Sequence, residues 1–147
     1  MKNLFRNLVL LALVLSVAGC GAAHCHCRAY QKKYRRPLAG TTWQLVQLDG
    51  RSVPTQEGRF SLVLSAEEGR FAGVGACNRL TGTFETDASW ALVFGPIAST
   101  RMACPDEAQE WKFIDALASA THYDMDGPML LLLSNGELRA VFQAVAE

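Results

Sequence analysis

The chain has 147 residues, half of which are apolar, and its fourteen basic and fourteen acidic residues cancel. The charges are unevenly spread, because residues 21–37 carry five basic and no acidic side chains, whereas residues 38–147 carry seven basic and fourteen acidic ones. An acidic domain of this kind argues against nucleic-acid binding, which requires a basic face. The length that follows the N-terminal segment suits one domain.

The N-terminus predicts a lipoprotein export signal over residues 1–19. A short basic region precedes the apolar run at residues 8–17, which is too short to span a membrane, since a spanning helix needs about 20 residues. The sequence VAGC at residues 17–20 resembles the bacterial lipobox, which implies cleavage before Cys20 and acylation of its thiol, for example with palmitate. The familiar signal that retains such lipoproteins in the inner membrane is an aspartate directly after the lipidated cysteine. This chain has Gly21 there, so we expect an outer-membrane lipoprotein that faces the periplasm.

Residues 20–37 are interpreted as a lipidated, basic tether that leads to a domain at 38–147. Its basic residues would favour anionic lipid headgroups by about 1 kcal/mol each, and the alternative is a linker that is merely solvated. The sequence HCHC, His24 to Cys27, offers imidazole and thiol groups that suit zinc or copper(I). Zinc sites usually space their cysteines by about two to four residues. A linker with oxidisable thiols is therefore favoured over a metal site.

The first half of the domain reads as a series of short strands. Turn pairs such as Asp49–Gly50 separate them at intervals of about 8–12 residues, which is typical of sandwiches and barrels. The predicted strands are residues 41–48, 59–65, 70–76, 80–86 and 89–95. In the second strand, Phe60, Leu62 and Leu64 share one face. The glycines of the third strand predict bulges or a close backbone approach.

One helix is predicted at residues 104–120. Pro105 suits the first helical turn, and acidic residues there favour the positive end of the helix dipole. The apolar stripe that we expect to face the core consists of Ala108, Trp111, Ile114, Leu117 and Ala118. Trp111 is therefore predicted to be a core residue. The carboxylates of Asp106, Glu107 and Glu110 are interpreted as solvated or helix-end groups.

The strand pattern returns after the helix. Residues 121–126 form a possible strand, and residues 129–134 and 137–145 flank Asn135–Gly136, a strong hairpin signal. One helix among about eight short strands predicts an α+β or mainly β domain built on an antiparallel sheet.

Several separated motifs resemble the META domain family of HslJ-like bacterial lipoproteins. The matching residues occur in the family's order and are Trp43, Cys77, Asn78, Gly82, Thr100, Met102, Cys104, Glu110, Phe113 and Leu117. Two positions depart from the family pattern, because Ala76 replaces a common glycine and Phe84 replaces the usual tyrosine. The resemblance covers about residues 38–145. It implies a barrel-like antiparallel sheet with one packed helix, no established enzymatic activity, and an association with heat shock, drug tolerance and envelope stress.

Cys77 and Cys104 are the only cysteines of the domain. A cysteine nucleophile needs a base, and His122, the one histidine after the tether, lies in no recognisable catalytic motif. A metal site needs more ligands than two cysteines and one histidine. A disulfide needs only export and proximity, so pairing is favoured over buried thiols, catalysis or metal binding. No cofactor is predicted.

Three functions remain open. The first is a non-enzymatic envelope lipoprotein that contacts another envelope protein and supports stress tolerance. The second is a lipocalin-like carrier of a small apolar ligand, and an enzyme comes last. A large apolar cavity lined by Phe60, Phe71, Phe84 and Trp90 would favour the carrier. A filled core with an exposed apolar groove would favour the protein partner.

The turn surface around the two cysteines is the predicted contact region. It consists of Asn78, Arg79, Thr100 and Arg101. The two arginines are suited to orient a carboxylate or a backbone carbonyl of a partner. The alternative is that both arginines pair with nearby acids of the same domain, as exposed charges commonly do.

Overall fold

The computed structural model describes residues 28–145, so the predicted signal peptide, Cys20 and the HCHC sequence lie outside the described residues. The chain divides into two units, with the boundary between Tyr34 and Arg35. In the first unit, residues 28–34 are helical (α1), although the sequence predicts only a tether there. The rings of Tyr30 and Tyr34 lie 4.8 Å apart on this helix. No helix within residues 28–145 is long and apolar enough to cross a membrane.

The described part of the second unit contains ten strands and one helix. The strands are β1 (Thr42–Leu48), β2 (Arg51–Ser52), β3 (Ser61–Ser65), β4 (Arg70–Val74), β5 (Arg79–Thr86), β6 (Leu92–Phe94), β7 (Ala98–Ser99), β8 (His122–Asp126), β9 (Met129–Ser134) and β10 (Glu137–Ala144). Helix α2 (Glu107–Ala118) lies between β7 and β8 in the chain.

Eight of the strands form an antiparallel sheet in the order β6-β5-β4-β3-β1-β10-β9-β8, while β2 pairs with β1 and β7 pairs with β5. The two ends of this sheet meet, because Ala91 pairs with His122 and the N–H of Leu92 donates to the carbonyl of Thr121 at 3.1 Å. The sheet is therefore nearly closed into a barrel. This architecture confirms the predicted mainly β fold with a barrel-like antiparallel sheet and one packed helix.

Two hairpin turns follow directly from local sequence. Asn135 and Gly136 have φ angles of 50° and 87°, and they join β9 to β10 as a two-residue loop. Asp49 and Gly50, with φ angles of 47° and 76°, join β1 to β2 in the same way. Asparagine, aspartate and glycine are the residues that accept positive φ most readily, so these turns match their sequence signals.

The predicted strand at residues 89–95 is shorter in the structure. The carboxylate of Asp87 accepts hydrogen bonds from the N–H groups of Ser89 and Ala91 and from the Ser89 hydroxyl. This side-chain turn keeps residues 87–90 outside β5 and β6, and pairing resumes at Ala91, which bridges to His122. Trp90 lies within the turn at φ 68° and is exposed.

Apolar side chains fill the inside of the barrel. Phe60 packs edge-to-face on Phe113 of α2 with ring centroids 5.6 Å apart, and Phe71 packs in the same way on Phe94 at 5.1 Å. Phe84 is buried as well. Three of the four aromatic residues considered as the lining of a carrier cavity are therefore part of the packed core, and the fourth, Trp90, lies on the surface.

Helix α2 packs on the sheet with a different face from the predicted one. Its buried residues are Glu110, Phe113, Ala116 and Leu117. Trp111 is 61% exposed, so its assignment to the core is wrong. The predicted stripe contains apolar residues only, whereas the carboxylate of Glu110 occupies a buried position on α2. The true face is rotated by one residue, which is about 100° on a helix.

Candidate functional site

A disulfide joins the turn between β4 and β5 to the segment that enters α2. It links Cys77 to Cys104, whose Cα atoms are 6.1 Å apart and whose positions differ by 27 residues in the chain. The bond connects the sheet to the start of the helix, as a structural role for these two cysteines requires.

Asn78 ties the same turn to residues 97–103, which we call the crossing segment. Its side chain is buried, at 3% exposed. The amide nitrogen donates to Glu110 Oε1 at 2.6 Å and to the carbonyl of Met102 at 3.1 Å. The amide oxygen accepts from the Thr100 hydroxyl at 2.8 Å and from the N–H of Met102. The amide is thus satisfied inside the protein and holds the crossing segment in place.

Glu110 is the buried partner of this amide and is only 5% exposed. Its Oε2 accepts the N–H groups of Asn78 at 3.1 Å and Cys77 at 3.2 Å. Burial raises the pKa of this carboxyl, but hydrogen bonds from the Asn78 side chain and from the backbone N–H groups outweigh it, so the pKa lies below its ordinary value of 4.5. Glu110 is therefore an ionised structural acceptor. It lies in the first turn of α2, as its interpretation as a helix-end group requires, but it is buried and not solvated.

Gly75 makes room for this carboxylate. A Cβ at this position would lie 2.5 Å from Glu110 Oε2. On the other side of the turn, the guanidinium of Arg59 donates to the carbonyl of Ala76 at 2.7 Å and forms an ion pair with Asp106 just before α2. The turn is thus held from two sides by side chains that are distant in sequence.

Cys77, Cys104 and Glu110 also place their Sγ and carboxylate atoms within 4.8 Å of one another. Sulfur binds metal ions as a thiolate, and both sulfurs here are bonded to each other. The oxidised cluster therefore provides one anionic ligand, which is too few for a zinc site.

Two grooves flank the crossing segment. The first, which we call the helix groove, lies between the crossing segment and α2 and has a volume of about 830 Å³. The second, which we call the sheet groove, lies against β3, β4, β5 and β7 and has a volume of about 600 Å³. Exposed Met102 and Trp111 line the helix groove, and Arg79 and Thr100 line the sheet groove.

The family model of the META domain matches residues 36–146. The chain belongs to the META domain family. None of the curated proteins matches it.

Solved structures share the fold of this META domain. An NMR structure of a protein from Burkholderia xenovorans is 29% identical with a TM-score of 0.58, and the alignment covers 75% of this chain and 85% of that one. The crystal structure of a DUF4847 family protein from Bacteroides vulgatus is 20% identical with a TM-score of 0.53, covering 75% of this chain and 94% of that one. The second likeness supports the fold alone. Neither the family description nor these names indicates a catalytic activity.

The META domain separates the four predicted contact residues. Asn78 and Arg101 line the helix groove, whereas Arg79 and Thr100 line the sheet groove. Asn78 is buried, whereas the other three residues are exposed. Arg101 adopts φ 55°, a left-handed backbone conformation that costs a non-glycine residue about 1–2 kcal/mol.

The guanidinium groups of Arg79 and Arg101 form no ion pair and no hydrogen bond with other described residues of the META domain. Their backbone N–H groups donate to the hydroxyl oxygens of Thr100 and Ser99. The ion pairs belong instead to Arg59, which pairs with Asp106, and to Arg139, which pairs with Asp49 and Asp115 at 2.8 Å each. The alternative that both predicted arginines pair with nearby acids is therefore not what the structure shows.

Sequence patterns did not predict three residues of the site as functional, namely Met102, Glu110 and Trp111. Met102 and Glu110 belong to the META motif, and this membership was the one sign in the sequence that they matter to the site. Trp111 was assigned to the core because it is apolar and falls at helical spacing. Its exposure becomes visible only once the buried face of α2 is known.

Proposed function

We propose that this META domain protein is a lipid-anchored protein of the bacterial envelope that acts by binding another envelope protein through the helix groove, without catalytic activity of its own. The observation that carries the proposal is the pairing of Met102 and Trp111. They are the two most exposed large apolar side chains within residues 28–145, at 54% and 61%, and both line the same groove.

The chemistry of the groove suits a protein surface. Tryptophan, methionine and arginine are enriched at the centres of protein interfaces, where a few such residues contribute most of the binding energy. The indole N–H of Trp111 donates to Glu107 at 3.3 Å, so its polar group is satisfied before any partner arrives. The guanidinium of Arg101 lacks a partner in the described chain and suits a carboxylate that it can bind with two hydrogen bonds.

The walls of the groove are held in place before binding. The Cys77–Cys104 disulfide holds the residue that directly follows the crossing segment. Asn78 bonds both to Thr100 and Met102 of that segment and to Glu110 of α2, so it ties the segment to the helix. A rigid groove loses less conformational freedom on binding than a flexible one, so more of the contact energy appears as affinity.

Membrane attachment and the cellular role rest on the sequence. The lipobox-like VAGC motif with Cys20 supports a lipid anchor, and Gly21 supports the outer membrane. The META family's association with heat shock and drug tolerance supports a role in envelope stress. The alternative role, as a lipocalin-like carrier, has less support because Phe60, Phe71 and Phe84 pack into the core.

Photo-crosslinking in intact cells tests the partner proposal. A photoreactive amino acid in place of Met102 is expected to give a crosslinked product with one envelope protein, identified by mass spectrometry. The matched control is Val93, which is 49% exposed on β6 and lies in neither groove. A product that forms equally from position 93 would count against the helix groove.

A second variant connects the crosslink to function. Trp111→Ala is expected to reduce the Met102 crosslink at least tenfold and to lower stress tolerance, at unchanged protein abundance and Tm. The fold is expected to survive because Trp111 is mostly exposed. Full tolerance in a Met102→Ala, Trp111→Ala double variant would refute partner binding at this groove.

A further inference from the structure

We propose that the sheet groove binds a free fatty acid, which is a single-chain amphiphile with a carboxylate head group, and that Arg79 binds this carboxylate. This site shares only Ala98 and Ser99 of the crossing segment with the helix groove, and it lies outside the packed interior of the barrel.

Strand register shows that the floor of the groove faces outward. Val63 lies opposite Ala72, Ala72 opposite Thr81, and Thr81 opposite Ala98, which makes one row across four strands. Directly opposed residues of antiparallel strands share a face. The alternate residues of these strands point into the barrel, as the burial of Leu62 shows. A solvent-facing row would usually be polar, yet this one carries no charge.

A second row lies two residues further along the strands. Val74 is opposed by Ser61 on one side and by Arg79 on the other. Two residues along a strand span about 7 Å, and three steps between strands span about 14 Å. The two rows therefore form a floor about 7 Å by about 14 Å, on which one hydrocarbon chain can lie. Its volume of about 600 Å³ falls within the range of small-molecule sites, roughly 300–1,000 Å³.

Arg79 supplies the only charged side chain among the residues that line the sheet groove. It is the one charged residue among the eleven that line the groove, although the domain is rich in charged side chains. Its guanidinium makes no ion pair within residues 28–145. A guanidinium binds a carboxylate with two parallel hydrogen bonds. One cation beside a neutral, largely apolar groove is complementary to one anionic head group with one apolar tail.

The main chain of the central strands β3 and β4 favours a hydrocarbon over an extended peptide. β3 pairs with β1 and β4, and β4 pairs with β3 and β5. The N–H and C=O groups of these central strands are therefore used inside the sheet, and a peptide strand would find few partners there. A hydrocarbon chain needs none, and each methylene that is fully buried strengthens binding by up to about fourfold.

The test uses the full-length protein in phosphatidylcholine vesicles and a photoreactive palmitate as the probe. The probe is expected to label residues 61–63, 72–74 and 98–100, as mapped by peptide mass spectrometry, and unlabelled palmitate is expected to compete. Arg79→Ala should reduce labelling at least tenfold. The matched control, Arg70→Ala, removes an exposed arginine of neighbouring β4 that does not line the groove, and should leave labelling unchanged.

Two further arms separate the head group from the tail. A photoreactive hexadecanol lacks the carboxylate, so its labelling should be weaker and insensitive to Arg79→Ala. Ala72→Phe keeps Arg79 and fills the groove, and should abolish palmitate labelling at an unchanged Tm. Labelling elsewhere, equal labelling of Arg79→Ala, or displacement by phosphatidylglycerol but not by palmitate would overturn the proposal.

Discussion

Glu110→Gln tests whether the buried carboxylate network stabilises the fold. The wild-type carboxylate accepts three hydrogen bonds, one from the amide of Asn78 and two from the N–H groups of Cys77 and Asn78. Glutamine has nearly the same shape but only one oxygen, and its NH₂ group donates. Whichever way the new amide is turned, at least one buried N–H donor then faces another donor.

The expected loss follows from the number of broken bonds. Hydrogen bonds to charged groups contribute about 1.5–3 kcal/mol, and a buried donor without a partner costs about 1–3 kcal/mol. Losing one or two of the three bonds should lower the free energy of unfolding by about 2–4 kcal/mol at pH 7. That is a large part of the roughly 5–15 kcal/mol that keeps a typical domain folded.

Urea denaturation of the disulfide-bonded protein measures this loss. Glu107→Gln is the matched control, because Glu107 lies on the same helix but is exposed. Its effect should stay within about 0.5 kcal/mol, as is usual for surface substitutions. Equal stability of Glu110→Gln and Glu107→Gln would refute the stabilising role of the network.

The pH dependence gives an independent check. The pKa of Glu110 is lowered in the folded protein, so its stabilising contribution is fully present above the ordinary value of 4.5 and is lost as the pH falls through the folded pKa. The amide that replaces this carboxyl in the variant does not titrate. The stability difference between wild type and Glu110→Gln should therefore be constant near neutral pH and should narrow in acid. A difference that widens in acid would contradict the assignment.

Three further changes address the disulfide, the sheet and the anchor. Replacing Cys77 and Cys104 by alanine should lower the free energy of unfolding by about 3–4 kcal/mol. Non-reducing peptide mapping of the wild-type protein from the envelope should find the two cysteine peptides linked. Free alkylation of both thiols would argue against the disulfide. Gly73→Ala places a Cβ 2.5 Å from the carbonyl oxygen of Ser61, so it should lower the free energy of unfolding, measured by urea denaturation, by about 1–3 kcal/mol. An unchanged free energy of unfolding would show that β3 and β4 can move apart without cost to admit the methyl group. Cys20→Ala should leave an unprocessed precursor without acyl chains on a gel, whereas normal processing would disprove the lipobox.

Local patterns in the sequence predicted most of the elements. Alternation in the predicted strand at residues 59–65 places Leu62 and Leu64 inside, and both are buried on β3; Phe60 is buried as well, but it precedes β3 at φ 47°. Asn135–Gly136 predicted its hairpin because the required backbone angles depend on those two residues alone. The glycine-rich β4 predicted a close backbone approach, which Gly73 makes to β3. Each of these features depends on neighbours along the chain or on a single pleated face.

The orientation of α2 was decided only by the tertiary structure. Helical periodicity is a repeat of apolar residues, so it predicts that Trp111 is buried and leaves Glu110 as a solvated or helix-end carboxylate. Burial of Glu110 becomes favourable only because donors at Cys77 and Asn78, more than thirty positions earlier, converge on it. The same convergence exposes Trp111. Hydrogen bonds between polar groups that are distant in sequence depend on the three-dimensional structure. An apolar repeat along one helix gives no information about them.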